Sequence, residues 1–118
     1  MNLEQLHDFC LSIPGATESF PFDEVSLVMK VKNKMFALIP LDEAKVQIAV
    51  KCDPEAAIEL REHYSAVVPA YHFNKKYWNT IYLNRDMRDE EVEKWIRHSV
   101  GEVIKKLPKK IRDEYHNR

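Results

Sequence analysis

The sequence predicts an α+β domain of two layers, in which an antiparallel sheet is packed with helices. Apolar residues recur at three- and four-residue spacing near the start, the middle and the end of the chain, as the buried stripe of a helix requires. Between the first two of those stretches lie three runs of alternating or continuous apolar residues. The turns joining them are short, and consecutive strands linked by short turns pair antiparallel. At 118 residues the chain fits one domain, and no repeat, linker or low-complexity segment divides it. One domain over residues 1–118 is expected, closing in a polar tail at about 109–118.

The first helix carries Leu3, Leu6, Phe9, Cys10 and Ile13 on one face. Asn2 suits its cap, Gln5 is placed to reach back to it, and Pro14-Gly15 ends it. Val25, Leu27, Met29 and Val31 then alternate with Ser26, Val28, Lys30 and Lys32, the pattern of a half-buried strand. Lys32-Asn33-Lys34 reads as a hairpin turn with Asn33 at positive φ. Met35-Phe36-Ala37-Leu38-Ile39 is continuously apolar, as a central strand covered on both faces would be. After a turn at Leu41-Asp42-Glu43-Ala44, Val46, Ile48, Val50 and Cys52 alternate with Lys45, Gln47, Ala49 and Lys51.

Asp53-Pro54 starts the second helix, Asp as acceptor for the free N–H groups and Pro at the first helical position. Ala57, Leu60 and Tyr64 are its apolar face. Val67-Val68 reads as a short edge strand before Pro69, and residues 77–83 as extended chain. The last long helix begins near Asp89, with Asp89, Glu90 and Glu91 in its first turn and Lys105 and Lys106 in its last, matching the macrodipole. Its buried stripe is Val92, Trp95, Ile96, Val100, Val103 and Leu107. Gly101 costs about 1 kcal/mol against Ala within it, and a close crossing against the sheet would explain its presence. Pro108 breaks the helix, leaving one further helical turn around Ile111 and Tyr115 in the tail.

An apolar fraction of 45% and a charged fraction of 31% are those of a globular chain rather than a disordered one. The net charge of -1 lacks the basic balance of a dedicated nucleic-acid binder, so any grip on a polyanion needs a local patch. Cys10 and Cys52 sit in apolar patterns without a CxxC pair, and are expected as buried, reduced thiols. The N-terminus has no basic stretch followed by an apolar core, and no apolar run approaches the roughly 20 residues of a membrane span. A cytoplasmic protein without membrane contact is expected.

No catalytic residue is assigned. Ser12, Ser19, Ser26, Ser65 and Ser99 occur outside any G-x-S-x-G elbow, and two glycines cannot make a phosphate-cradling loop. His7, His63, His72, His98 and His116 are scattered with no i, i+4 pair, so neither a metal nor another cofactor is expected. Glu18, Asp23 and Glu24 around Phe20-Pro21-Phe22 read as solvated loop charges.

Two segments carry a different chemistry. Tyr71-His72-Phe73-Asn74-Lys75-Lys76-Tyr77-Trp78-Asn79 interleaves aromatic rings with lysines, and rings stack on bases while lysines neutralise phosphates. Its candidate contacts are Tyr71, His72, Lys75, Lys76, Trp78 and Asn79. The competing reading is a strand with an exposed hairpin tip. Lys105, Lys106, Lys109 and Lys110 form a second basic run. The two runs make one positive surface only if the fold brings them side by side.

Phe20-Pro21-Phe22, Lys34-Met35-Phe36-Ala37-Leu38-Ile39, Lys51-Cys52-Asp53-Pro54-Glu55 and the segment from Tyr71 to Thr80 follow one another in the order and spacing of MmcQ/YjbR-like proteins, which this chain resembles. Ser99 and Lys105-Lys106-Leu107-Pro108-Lys109-Lys110 extend the match over nearly the whole length. The resemblance implies a YjbR-like α+β domain related in shape to CyaY-like and secretion-chaperone-like folds. It also implies a likeness to a double-wing DNA-binding domain of a phage transcription activator, a functional warrant by fold analogy alone. Asp23-Glu24 stands where many members carry a glycine, adding negative charge beside that turn.

The expectation is therefore a DNA-binding or regulatory accessory domain. The alternative is a protein-interaction or small-ligand module, with Tyr71, Phe73 and Trp78 lining a groove.

Overall fold

Short-range turn chemistry sets the path of the sheet. In the computed structural model, which describes every residue from Met1 to Arg118, Asn2 accepts from the Gln5 N–H at 2.8 Å while Gln5 Oε1 accepts from the Asn2 N–H at 2.9 Å. That reciprocal cap opens helix α1 (Leu3–Ser12), and Gly15 at φ 76 turns the chain into β1 (Thr17–Ser19). Strands β2 (Ser26–Val31) and β3 (Lys34–Pro40) join through Lys32 and Asn33, both at positive φ, the two-residue hairpin turn that matches strand twist. Then come β4 (Gln47–Lys51), α2 (Pro54–His63), β5 (Val67–Pro69), β6 (Trp78–Tyr82), α3 (Asp89–Ile104) and α4 (Lys109–His116).

The strands form one six-stranded sheet in the order β1-β2-β3-β4-β6-β5, antiparallel at every pairing. β6 enters between β4 and β5, so the expected edge strand at Val67-Val68 does lie at the edge. Leu27, Met29, Val31, Ala37, Ile39, Ile48, Val50 and Ile81 point to one side and join Leu6 and Cys10 of α1 and Val92, Ile96 and Val103 of α3 in a single core. Removing such side chains from water is the main stabilising term of a domain this size. The helices cover that side alone. It is a two-layer α+β domain.

Three expectations change in detail. The register slips between Met29 and Lys30, leaving one extra residue on β3, and Phe36 and Ala37 both turn into the core. β3 is therefore not covered evenly on both faces, and Leu38 stays half-exposed on the other side. Gly101 is exposed with nothing within 4 Å of where a Cβ would stand, so no close crossing accounts for it. The one helical turn expected around Ile111 and Tyr115 in the tail is a longer helix, α4, whose Tyr115 is buried and donates its hydroxyl proton to the Pro14 carbonyl at 2.8 Å.

Candidate functional site

Strand register orders the face of the sheet away from the helices into rows. At one end Lys30 pairs Met35, and Lys51 pairs Trp78. The middle row runs Ser19, Val28, Leu38, Ala49, Thr80 and Val68 across all six strands. The far row holds the pairs Ser26 with Pro40 and Gln47 with Tyr82. Rows on one face stand two residues apart, roughly 7 Å.

Two loops rise over these rows. Asn74 folds the first, accepting the Tyr77 and Trp78 N–H groups on its carbonyl at 3.0 Å and the Lys76 N–H on its side chain at 3.0 Å. That turn lays Phe73 on Trp78, ring centres 5.0 Å apart. Asp23 folds the second, accepting the Val25 and Ser26 N–H groups at 2.9 and 2.7 Å. Those backbone bonds to Val25 and then Ser26 hold its carboxyl below the ordinary 3.8. The turn is thus closed by a side chain. Between the loops lies a groove of about 280 Å³ floored by Leu38, Ala49 and Thr80, with Tyr71, His72 and Phe73 along one wall. Asp42 and Glu43 stand at its far end.

The two lysine-rich segments meet at the other end. Lys76 Nζ lies 5.6 Å and Lys106 Nζ 5.9 Å from the centre of the Tyr77 ring. Each ammonium is attracted by the ring quadrupole, which offsets part of their mutual repulsion. Lys51 joins them. Its burial first, and the neighbouring Lys106 and Lys105 next, push its ammonium below the ordinary 10.5, with Glu102 opposing. An anion would relieve that crowding. Lysines thus gather where α3 ends beside Tyr77, and carboxylates stand at the far end of the groove.

The remaining candidates divide. Lys105 is neutralised by Glu102 at 2.8 Å and Lys109 by Asp113 at 2.9 Å, while Lys110 is exposed on α4. Lys75 lies 5.0 Å over the Tyr71 ring, and that ring is 67% exposed. His72 is exposed in the groove wall and Trp78 half-buried under Phe73. Asn79 is the correction: its register partner Val50 faces the core, so its side chain is wholly buried and donates to the Ala57 carbonyl of α2 at 3.1 Å. No ligand reaches it. Lys51, Lys30 and Tyr77 were not singled out from sequence, although Lys51 already stood on the outward side of an alternating strand. What was missing was the neighbour of that strand.

The two cysteines are poorly disposed to act as nucleophiles. Burial pushes the Cys10 and Cys52 thiols up to about 12, far from the thiolate a nucleophile needs. No three His, Cys, Asp or Glu side chains gather in a metal-holding arrangement, and no helix is long and apolar enough to cross a membrane.

One helical layer beneath an antiparallel sheet, with the other face open between two loops, defines a small open-faced α+β domain. The chain belongs to the YjbR family, whose model matches residues 11–99. It is 30% identical over 112 residues to the uncharacterized protein YjbR of Escherichia coli K12, covering 95% of each chain. It is 26% identical over 114 residues to the uncharacterized protein YbdF of Escherichia coli O157:H7, covering 93% of each. Among solved structures it is similar to Deinococcus radiodurans protein DR2400, with a TM-score of 0.90 at 34% identity over 98% of this chain and 88% of that one. A Pseudomonas syringae protein is similar at a TM-score of 0.76 and 25% identity, over 87% of this chain and 99% of that one.

Proposed function

We propose that this YjbR-family protein is a binding module that takes the sugar-phosphate backbone of DNA on the lysine cluster around Tyr77. One observation carries the reading: Lys76 and Lys106, 30 residues apart in sequence, converge on the Tyr77 ring with Lys51 beside them. Three ammonium groups held together by the fold are a phosphate site that the net charge of -1 conceals. Tyr77 gathers the cations, and the exposed Tyr71 ring beside Lys75 offers a face to an unpaired base. The carboxylates at the far end repel phosphate, so a strand would cross the lysine cluster rather than run along the groove.

The test is salt dependence. Three neutralised phosphates set a slope of about -2 to -3 in log affinity against log salt, from roughly 0.7–0.9 per phosphate. Lys76→Ala and Lys106→Ala should each flatten that slope by about one such increment, measured by fluorescence anisotropy on labelled single- and double-stranded oligonucleotides. Lys109→Ala, whose cation is already paired with Asp113, should leave it unchanged. No binding at low salt, or equal effects of all three variants, rejects the proposal.

The groove favours a second reading. Leu38, Ala49, Phe73 and Thr80 make a partly apolar trough fit for a peptide or small ligand. Binding there would persist at high salt and respond to Leu38 rather than to the lysines.

A further inference from the structure

A separate cavity opens on the helical side of the molecule, between α1 and the β1–β2 edge of the sheet. Its volume is about 510 Å³, and Leu3, Phe20, Leu27 and Leu41 supply its apolar walls. Phe20 is 47% and Leu41 37% exposed, an unusual outlay of apolar surface on so small a domain. The polar groups on its rim are of one kind. Glu4 and Glu18 stand there with His7, whose Nε2 meets Glu18 Oε2, and no lysine or arginine lines the cavity. Glu4 makes no ion pair, and Glu18 pairs only with that imidazole.

We infer that this cavity binds small apolar amines, the hydrocarbon part against Leu3, Phe20, Leu27 and Leu41 and the ammonium between Glu4 and Glu18. Carboxylate oxygens only accept hydrogen bonds, and both oxygens of Glu4 and one of Glu18 are free to do so. A head group with N–H donors and positive charge satisfies them, whereas a ligand carboxylate meets like charge. His7 holds Glu18 at the rim through their shared contact, and is a positioning residue. The Phe20 ring adds a face that attracts a cation. The site lies between α1 and the β1–β2 edge and shares no residue with the lysine cluster at Tyr77, so it stands or falls independently of the nucleic-acid reading.

The probes are 2-phenylethylamine, its neutral isostere 2-phenylethanol and the anion 3-phenylpropionate, titrated into the isotopically labelled full chain and followed by amide NMR shifts. The amine should move the signals of Leu3, His7, Phe20 and Leu41 and bind roughly fivefold tighter than the alcohol, the ratio of an exposed ion pair near 1 kcal/mol. The anion should bind weakest. Glu4→Gln, at an exposed site that leaves the fold intact, should bring amine and alcohol together, and Glu18→Gln should do the same. Leu41→Ser should weaken both. The inference is overturned if the shifts map elsewhere, if the amine gains nothing over the alcohol, or if the cavity is closed by a second copy of the chain, seen as concentration-dependent sedimentation that Leu41→Ser abolishes.

Discussion

Ser99 shows how much one hydroxyl can organise. It is wholly buried on α3, donates to the Phe36 carbonyl at 2.6 Å and accepts the Lys51 N–H at 2.9 Å. Phe36 sits at the bulge of β3, where the ladder is interrupted and backbone groups need another partner. The same bond holds the backbone of Lys51, one of the three cations of the candidate site. Ser99→Ala leaves a buried C=O and a part-buried N–H without their partner, and should cost about 1–3 kcal/mol. The check is a lowered urea midpoint with an unchanged slope, which distinguishes lost stability from a rearranged chain. Asn79 plays a related part across β6, tying the sheet to α2 through Ala57. Its place in an aromatic-basic segment suggested exposure, and strand alternation decided otherwise.

Helix α3 illustrates the element scale. Its apolar stripe, from Val92 through Ile96 and Val100 to Val103, packs on β3 and β4, and its first turn is acidic as the macrodipole favours. Gly101 interrupts that consistency. It lies on the exposed side, and a methyl group would stand in open space. A glycine in a helix interior has backbone freedom to lose on folding and brings nothing to the packing. Gly101→Ala should therefore stabilise the protein by about 0.5–1 kcal/mol, read as a higher thermal midpoint. An unchanged or lower midpoint would mean that the helix needs flexibility there. Helix α4 makes the complementary point. Two turns of mostly polar residues form because Tyr115 anchors them beneath Pro14, an interaction across 101 positions of sequence.

At the scale of the whole molecule, acid stability depends on carboxylates that clamp loops. Asp86 accepts the Ser65 and Ala66 N–H groups at 2.7 and 2.9 Å, joining the chain after β6 to the start of β5, and Asp23 clamps its own turn. Backbone hydrogen bonds lower both carboxyls from 3.8, so the unfolded chain binds more protons than the folded one in that range. The stability they contribute is fully present above pH 3.8 and drains away as pH falls through the lower, folded values. Asp86→Asn should accordingly lower the urea midpoint at about pH 6, and the gap to the parent protein should close as the pH falls below 3.8. A gap that stayed constant across that range would remove the clamp from the account.

Legible in the chain alone were α1, β2 to β4, α2, β5, β6 and α3 in their order, the antiparallel hairpins, the caps at Asn2 and Asp53, the core stripes and the family; the short strand β1 at Thr17–Ser19 was not. Each of these is written in local chemistry: a period of two or of 3.6, a side chain able to cap, a residue able to take positive φ. The packed fold decided that Lys76 and Lys106 meet at one ring with Lys51 near Lys106, that Asn79 reaches the Ala57 carbonyl, that the tail docks as α4, and that Glu4 and Glu18 rim an apolar cavity. Those facts depend on which strand or helix lies beside which. Sequence spacing carries no information about a neighbour that arrives from dozens of positions away.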